Sequence, residues 1–578
     1  MEETSRAETP AGRLRVIGIA ALLFGFLLIV RLFTLQVWQH ELYSRLATGT
    51  HEVFRELLPE RGSIYIKEGA TGRTVPVALN RDVFSVVADT RKIADNEKAA
   101  RAIDDAVHVG DAKRWDIYQN LNTHPSAAYV PLLSRITEDE KNALESKNVV
   151  GLTFERRPYR YYPEKEVGAH VVGFFGLQND GTPIGRYGIE GYFNDELTGE
   201  QGAVRGERSA IGAWIPLGRR EYTPAKNGKD ITLTIDRTIQ YEVCTDIARR
   251  ALEFKAASAA AVVLDPKTGA VLALCSYPSF DPNEYNKVED IRYFNNEAVF
   301  TAYEVGSIFK PLVMAAALDQ DVITPDTTFE DTGLREFDAF KIRNAGNKTY
   351  GTQTMREVLV NSINTGMIFV AERLGSKLVH EYIRAFGFGK PTGIEIQTEA
   401  PGDINNLKKE SFVYTATASF GQGITATPLQ MARAYTALAN AGTMVEPYIV
   451  EKIENNGKIV FQAEPDGGKE ALSPRAAAMT ADMMVSVVED GHAKTARVSG
   501  YNIAGKTGTA QITEGSSEYA EGKTIHSFAG FGPIEDPKFV MVVKFDKPEA
   551  SYAESTAAPV FGELAHFILQ YMKVPPSQ

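Results

Sequence analysis

From Val16 to Val30 the chain reads VIGIAALLFGFLLIV, with no charged or strongly polar residue, and LFTLQVW continues the run after Arg31. Together they reach the roughly 20 residues that a bilayer core asks of a helix. Arg31 falls near the far end of such a span, where its stem reaches the headgroups, and Trp38 falls at the interface. The run is long for the core of a signal peptide and no A-x-A-type site follows closely, so residues 16–38 are expected to form an uncleaved anchor. Arg6, Arg13 and Arg15 precede it, which favours a cytoplasmic tail over residues 1–15 and a membrane-bound protein whose bulk lies outside the cytoplasm.

Beyond the anchor, residues 39–230 are uneven. PVALNRDVFSVVAD (76–89) alternates as strands do, while ADNEKAARAIDDAVHVGD (94–111) and TEDEKNALESKN (137–148) read as short helices with polar faces. RGERSAIGAWIPLGRREYTPAKNGKD (205–230) is rich in Gly, Arg and Pro and reads as an extended connector. From about 230 the texture changes. DITLTID alternates as a strand, and Ile239, Val243, Ile247 and Ala251 then recur at helical spacing. AAVVLDPKTGAVLALCSYP (260–278) places two apolar runs around a turn, the pattern of a hairpin. Thr427 and Gln430 form a capping box with Pro428 at the first helical position, and that helix stops at Gly442. NIAGKTGTAQI, HSFAGFG and KFVMVVKF follow as successive strands, and Val560, Phe561, Leu564, Phe567, Ile568 and Tyr571 mark a closing helix. The order predicts an α+β domain with an antiparallel sheet over 231–578, above a β-rich region over 39–230.

Composition narrows the function. With 578 residues, 44% hydrophobic and 24% charged, the chain has the length of two to four domains. A net charge of −12 argues against nucleic acid as a partner. The two cysteines form no CxxC and the nine histidines no HExxH, so no metal or other cofactor is expected. Cys244 lies on the apolar face of its helix and Cys275 in an apolar strand, which suits a disulfide outside the cytoplasm and buried free thiols alike.

The candidate chemistry starts at YEVGSIFKPL. Ser307 and Lys310 are three apart, so on a helix they share a face and the amine reaches the hydroxyl. A serine is a poor nucleophile until a base takes its proton. Lysine is a base only when neutral, a state favoured by burial and by a second positive charge such as Lys506. At 55 residues further on comes Ser362-x-Asn364, and 144 after that Lys506-Thr507-Gly508-Thr509 on a predicted strand. Ser362 is placed to relay a proton and Asn364 to hold a substrate amide. Lys506, Thr507 and Thr509 offer a cation and hydroxyls to a substrate carboxylate, and Gly508 allows a strand backbone close to a bound peptide. The natural reaction is acyl transfer through an ester on Ser307.

The ordered set SxxK, SxN, KTG is that of the serine β-lactamases and penicillin-binding proteins. Over nearly its whole length the chain resembles class B penicillin-binding proteins, the membrane-anchored peptidoglycan D,D-transpeptidases. LPERGSIY (58–65), RPYRYYPEKEVGAHVVGFFG (157–176), YGIEGYFNDELTGEQG (187–202), LTIDRTIQ, LDPKTGAVLALCSYPSFDPN and FGQGITATPLQMARAYTALANAG carry the resemblance beside the three motifs. It implies a transpeptidase domain of the penicillin-binding and serine β-lactamase type on an elongated pedestal that contacts partners. It further implies peptidoglycan stem peptides as substrates, β-lactams as inhibitors, and a multi-spanning membrane glycosyltransferase as partner alongside other division proteins. ASFGQGITATPLQ and the lack of large insertions resemble the septal branch more than the elongation branch. The rival readings are an elongation enzyme, a D,D-carboxypeptidase or β-lactamase with the same centre, and a silent division scaffold. Val305 and Ile308 stand where the family often has Pro and Thr, and the run after Arg61-Gly62 is less regular than usual, which leaves the first pedestal strand open. His492 is read as a surface or packing residue, Glu190 as structural, and 512–526 as a gate or a plain hairpin connection.

Overall fold

The computed structural model describes residues 10–41, 52–69, 72–178, 180–207, 220–337, 340–465, 467–513 and 519–577, and the chain divides into two compact units. The first comprises Met1–Glu60 and Gly199–Asn227. Its helix Pro10–Phe33 runs on into a π-helical turn, Thr34–Trp38. The stretch Leu14–Trp38 has 25 residues with its apolar side chains exposed, enough to cross a bilayer as a single span. The same unit holds a three-stranded antiparallel sheet in which Gly202–Glu207 lies between Glu52–Leu57 and Arg220–Thr223. The expected connector over 205–230 thus supplies strand residues at both ends, and 208–219 fall outside the described residues.

The second unit, Arg61–Thr198 with Gly228–Gln578, carries two large sheets. One has seven strands, in the order Lys458–Gln462, Val450–Asn455, Asp230–Asp236, Ile64–Glu68, Arg73–Ala88 and Val130–Ile136, with Leu152–Tyr161 also paired to Arg73–Ala88. Ile64–Glu68 is the strand that the irregular RG run builds, and it lies parallel to Asp230–Asp236. The sheet therefore runs continuously past residue 230. PVALNRDVFSVVA, all but the final Asp89 of that stretch, forms part of one 16-residue strand that serves three neighbours. The two short helices appear at Asn96–Val107 and Glu138–Ser146, capped by Asp95 and by a Thr137–Glu140 box. With Asp111–Thr123 they enclose a small core of their own around Ile103, Ile117, Leu121 and Leu144.

Glu190 ties this region together. It is fully buried, its carboxylate accepting from Arg61 Nε (2.7 Å), Arg160 Nε (2.7 Å) and the Tyr162 hydroxyl (3.2 Å). The RG, RYY and GIEG segments thus meet at one charge cluster.

The other sheet has five antiparallel strands, in the order Val271–Tyr277, Ser258–Leu264, Phe539–Asp546, Tyr519–Gly532, Ala504–Thr513. Ser258–Leu264 is buried at every position, and so is Phe539–Phe545. Such strands need both faces covered, hence continuous apolar runs in place of alternation. Arg237–Glu253 and the closing helix Ala557–Tyr571 cover one face. Pro428–Ala439 and Pro474–Glu489 cover the other, with Lys310–Asp319 behind them. Cys244 and Cys275 are joined as a disulfide between Arg237–Glu253 and Val271–Tyr277, which resolves the pairing that the sequence left open. His492 is exposed. The segment 512–526 is largely strand, extending to Thr513 and resuming at Tyr519, with 514–518 outside the described residues.

Candidate active site

Ser307 sits in a 3-10 turn, Gly306–Phe309, that leads into the helix Lys310–Asp319. Pro311 falls in the first helical turn, where its missing N–H removes no helical bond. Every residue from Lys310 to Leu318 is buried, which is why PLVMAAAL has no polar face. Ser307 is half-buried and Lys310 fully buried. Two neighbours fix the turn. Gly306 N–H donates to Gly421 O at 3.0 Å, and a Cβ on Gly421 (φ +81°) would stand 2.1 Å from Gly306 O, so the FGQG turn abuts the serine segment only as glycine. The Tyr435 hydroxyl, from the helix that the capping box opens, donates to Ile308 O.

Ser362 lies where one helix hands over to the next. Met355–Val360 ends there, and Asn364 begins Asn364–Leu374. Ser362 N–H donates to Leu359 O (3.2 Å) and Ile363 N–H to Val358 O (2.9 Å). This is a Schellman ending with Ser362 at the left-handed position, φ +55°, which usually falls to glycine. A serine there is locally disfavoured and is held by its surroundings.

Lys310 Nζ reaches across to this turn. It lies 2.6 Å from Ser362 O, 2.9 Å from Asn364 Oδ1 and 3.1 Å from Ser362 Oγ. The first two are carbonyl oxygens, which only accept; the third is a hydroxyl, which can also donate. A protonated amine can donate to all three; an uncharged one keeps two N–H bonds for the two carbonyls and leaves its lone pair for an incoming proton. Burial, reinforced by the positive charge of Lys506, holds the Lys310 pKa well below the ordinary lysine value. Among the described residues no carboxylate lies within ion-pair distance of Lys310 and no hydrogen bond joins it to Ser307 Oγ. Such bonds commonly tighten only when substrate is bound.

The strand Ala504–Thr513 ends the five-stranded sheet, so its outer edge is open to an added peptide strand. Lys506 on it is buried; burial lowers its pKa to about 8, against an opposing pull from Glu554. Its Nζ donates to Thr507 O at 3.2 Å. Thr509 Oγ1 accepts from Ala553 N–H at 3.3 Å.

One sequence expectation needs correcting. Gly508 was expected to clear room for substrate, but a Cβ there would meet Ser527 Oγ at 2.6 Å, Ile308 Cγ2 at 3.0 Å and Val305 O at 3.1 Å. The missing side chain lets the strand pack on the serine turn, inside the protein. Asn364 Oδ1 accepts from Lys310 and one Nδ2 hydrogen goes to Arg343 O at 3.1 Å, so the second N–H stays available to a substrate amide. Behind it stand Asn344 and Asp331, which the motif reading missed. Arg343 contributes a backbone carbonyl, which carries no sequence signal. Asp331-Thr332-Gly333 did carry a weak one, an Asx turn closed by Gly333 N–H onto Asp331 Oδ1 at 2.9 Å.

Comparison with known proteins agrees with this geometry. Residues 259–566 match the penicillin-binding protein transpeptidase domain, and residues 56–233 the penicillin-binding protein dimerisation domain. Stage V sporulation protein D of Bacillus subtilis is 32% identical over 96% of this chain and 85% of its own. Peptidoglycan D,D-transpeptidase FtsI of Escherichia coli is 27% identical over 90% of this chain and 85% of its own. Among solved structures, penicillin-binding protein 3 of Mycobacterium tuberculosis, complexed with aztreonam, aligns with a TM-score of 0.69 at 25% identity over 91% of this chain and 98% of its own. Penicillin-binding protein 2X of Streptococcus thermophilus shares the fold, with a TM-score of 0.73 at 24% identity over 90% of this chain and 81% of its own. Two matched domains in order, a relative alignable over almost the full length, and an SxxK serine beside an SxN turn and a KTG edge strand together assign this chain to the class B penicillin-binding proteins, serine acyltransferases that act as peptidoglycan D,D-transpeptidases.

Proposed function

We propose that this protein cross-links stem peptides during septal wall synthesis, with Ser307 as nucleophile and Lys310 as its base. The observation that carries the reading is the setting of Lys310 Nζ, fully buried three residues from the serine and bonded only to the neutral oxygens of Ser362 and Asn364 among the described residues, with no carboxylate to hold a proton on it. Ser307 Oγ attacks the carbonyl carbon of the donor's penultimate residue, and its proton passes to Lys310. The oxyanion faces backbone N–H groups of the serine turn and of Thr509. The peptide C–N bond then breaks, and the departing D-alanine amine takes a proton from Lys310 by way of Ser362. An acceptor amine attacks the resulting ester, its lost proton returns to the Ser307 oxygen, and a new amide links the two stems. Lys506, Thr507 and Thr509 hold the donor carboxylate. The anchor keeps the reaction at the membrane, with the arginines of the tail on the cytoplasmic side. A multi-spanning glycosyltransferase supplies the glycan strands within the division machinery, and the FGQG turn beside Ser307 supports the septal branch.

Covalent labelling with a fluorescent penicillin tests this. Wild type is expected to hold the label for hours, and Ser307→Ala to take none. The labelling rate is expected to rise with pH as Lys310 loses its proton, below the ordinary lysine range, and to fall again as Lys506 loses its own near pH 8. Label lost within seconds would mean a β-lactamase, and a folded wild type that takes no label would mean a scaffold. A fluorescent fusion spread evenly along the side wall, with no enrichment at division sites, would overturn the septal part.

A further inference from the structure

Asp331 is 1% exposed, yet its carboxylate has no lysine, arginine or histidine within ion-pair distance among the described residues. It is satisfied instead by four neutral donors. Oδ1 accepts from Gly333 N–H (2.9 Å) and the Thr365 hydroxyl (2.6 Å), and Oδ2 from Asn344 Nδ2 (2.9 Å) and Tyr350 N–H (2.8 Å). Four donors make a buried charge tolerable, but they must all stay in place, because a charge left unmet in the interior is costly.

Both arms of this cluster end at Asn364. One runs through Thr365, the next residue on the helix. The other runs through Asn344, whose Oδ1 accepts from Thr365 N–H at 3.1 Å and whose preceding carbonyl, Arg343 O, accepts from Asn364 Nδ2 at 3.1 Å. A carbonyl only accepts, so Arg343 O compels Asn364 to turn its NH₂ that way and its oxygen toward Lys310. Rotated by 180°, the amide would point an N–H at Lys310 Nζ and occupy the lone pair that the Ser307 proton needs.

We propose that Asp331 is a positioning residue that fixes the Asn364 carboxamide with its oxygen toward Lys310. The inference rests on Lys310 being the base for Ser307.

Asp331→Asn puts an NH₂ among donors and breaks the cluster. The expected result is an acylation rate constant for fluorescent penicillin lower by about 10²-fold, the cost of a misplaced catalytic group, with the penicillin Kd before acylation little changed. The acid limb of the rate profile should move to lower pH, because Lys310 loses an acceptor that favours its charged form; Lys506 is the charged neighbour that it retains. Reduced stability alone would lower the active fraction and leave the limb in place. The double variant Asp331→Asn, Asn344→Asp restores only the 331–344 bond, since Tyr350 N–H then faces an NH₂ and Lys348 O loses its donor, so it should recover only part of the rate. Thr365→Val cuts one arm and should give a smaller loss with the same shift. A folded Asp331→Asn with wild-type rate and limb overturns the proposal. If that variant does not fold, a Thr365→Val protein with wild-type rate and limb overturns it. Label on Ser307→Ala would instead overturn the reading of the centre itself.

Discussion

Lys310→Met is expected to slow acylation of Ser307 by about 10²- to 10⁴-fold, the range that a positioned general base supplies, in a protein that still folds. Methionine keeps an unbranched stem in a site that is fully buried. What disappears is the amine and its bonds to Ser362 O, Ser362 Oγ and Asn364 Oδ1. Lys310→Arg separates the two roles open to a lysine here. A guanidinium stays protonated at any working pH, so it can supply charge and cannot accept the serine proton. If Lys310 acts as a base, arginine is as poor as methionine. If it acts only as a cation, arginine retains much of the rate. Time courses of fluorescent penicillin attachment, with intact mass to confirm the adduct, decide between them. A Lys310→Met protein labelling within tenfold of wild type would remove Lys310 from the base role.

The parts of this centre legible in the sequence were those with a local cause. Ser307 and Lys310 are linked by helical spacing, Thr427 and Gln430 by a capping box, and the KTG strand by the run of strands that follows it. Burial of Lys310 could also be foreseen, since the helix it opens has no polar position before Asp319. Contacts that span the fold were not legible. Nothing near Ser362 announces a left-handed serine at a position suited to glycine, because the force that holds it comes from Lys310, 52 residues away. Gly508 was read as facing substrate, because strand alternation does not say which face meets the serine turn. The Asp331 cluster draws on residues from 331 to 365 with no periodic pattern. The first pedestal strand was likewise hidden, since Ile64–Glu68 is defined by partners near residues 75 and 231. The disulfide was undecided because both cysteines satisfy burial equally well as thiols.

Glu190→Gln is expected to destabilise the second unit by about 3–5 kcal/mol, the cost of removing one partner from a buried charge cluster. The geometry explains the size. Arg61 and Arg160 converge on one carboxylate with their side chains almost wholly inaccessible, and glutamine would leave two guanidiniums facing each other without a counter-charge. Further polar contacts, Arg61 to Thr198 Oγ1 at 2.7 Å and Arg160 to Asn80 Oδ1 at 3.2 Å, hold them where they are, so neither can swing out to water. Urea unfolding monitored at several pH values provides a sharper check than one midpoint. Burial opposes ionisation of Glu190, yet Arg160 and Arg61 together hold its carboxyl below the ordinary value of 4.5. A carboxyl depressed in the folded state contributes stability above its unfolded pKa and loses it as pH falls through the folded one. The gap between wild type and Glu190→Gln should therefore be full at neutral pH and close only in strong acid, below about pH 4.5, where protonated Glu190 and the glutamine that replaces it become alike in charge. Acylation of Ser307 in the folded fraction should match wild type, because the cluster touches none of the residues around Lys310. A gap that stays constant down through strong acid would mean that packing, and not the ion cluster, holds these three segments together.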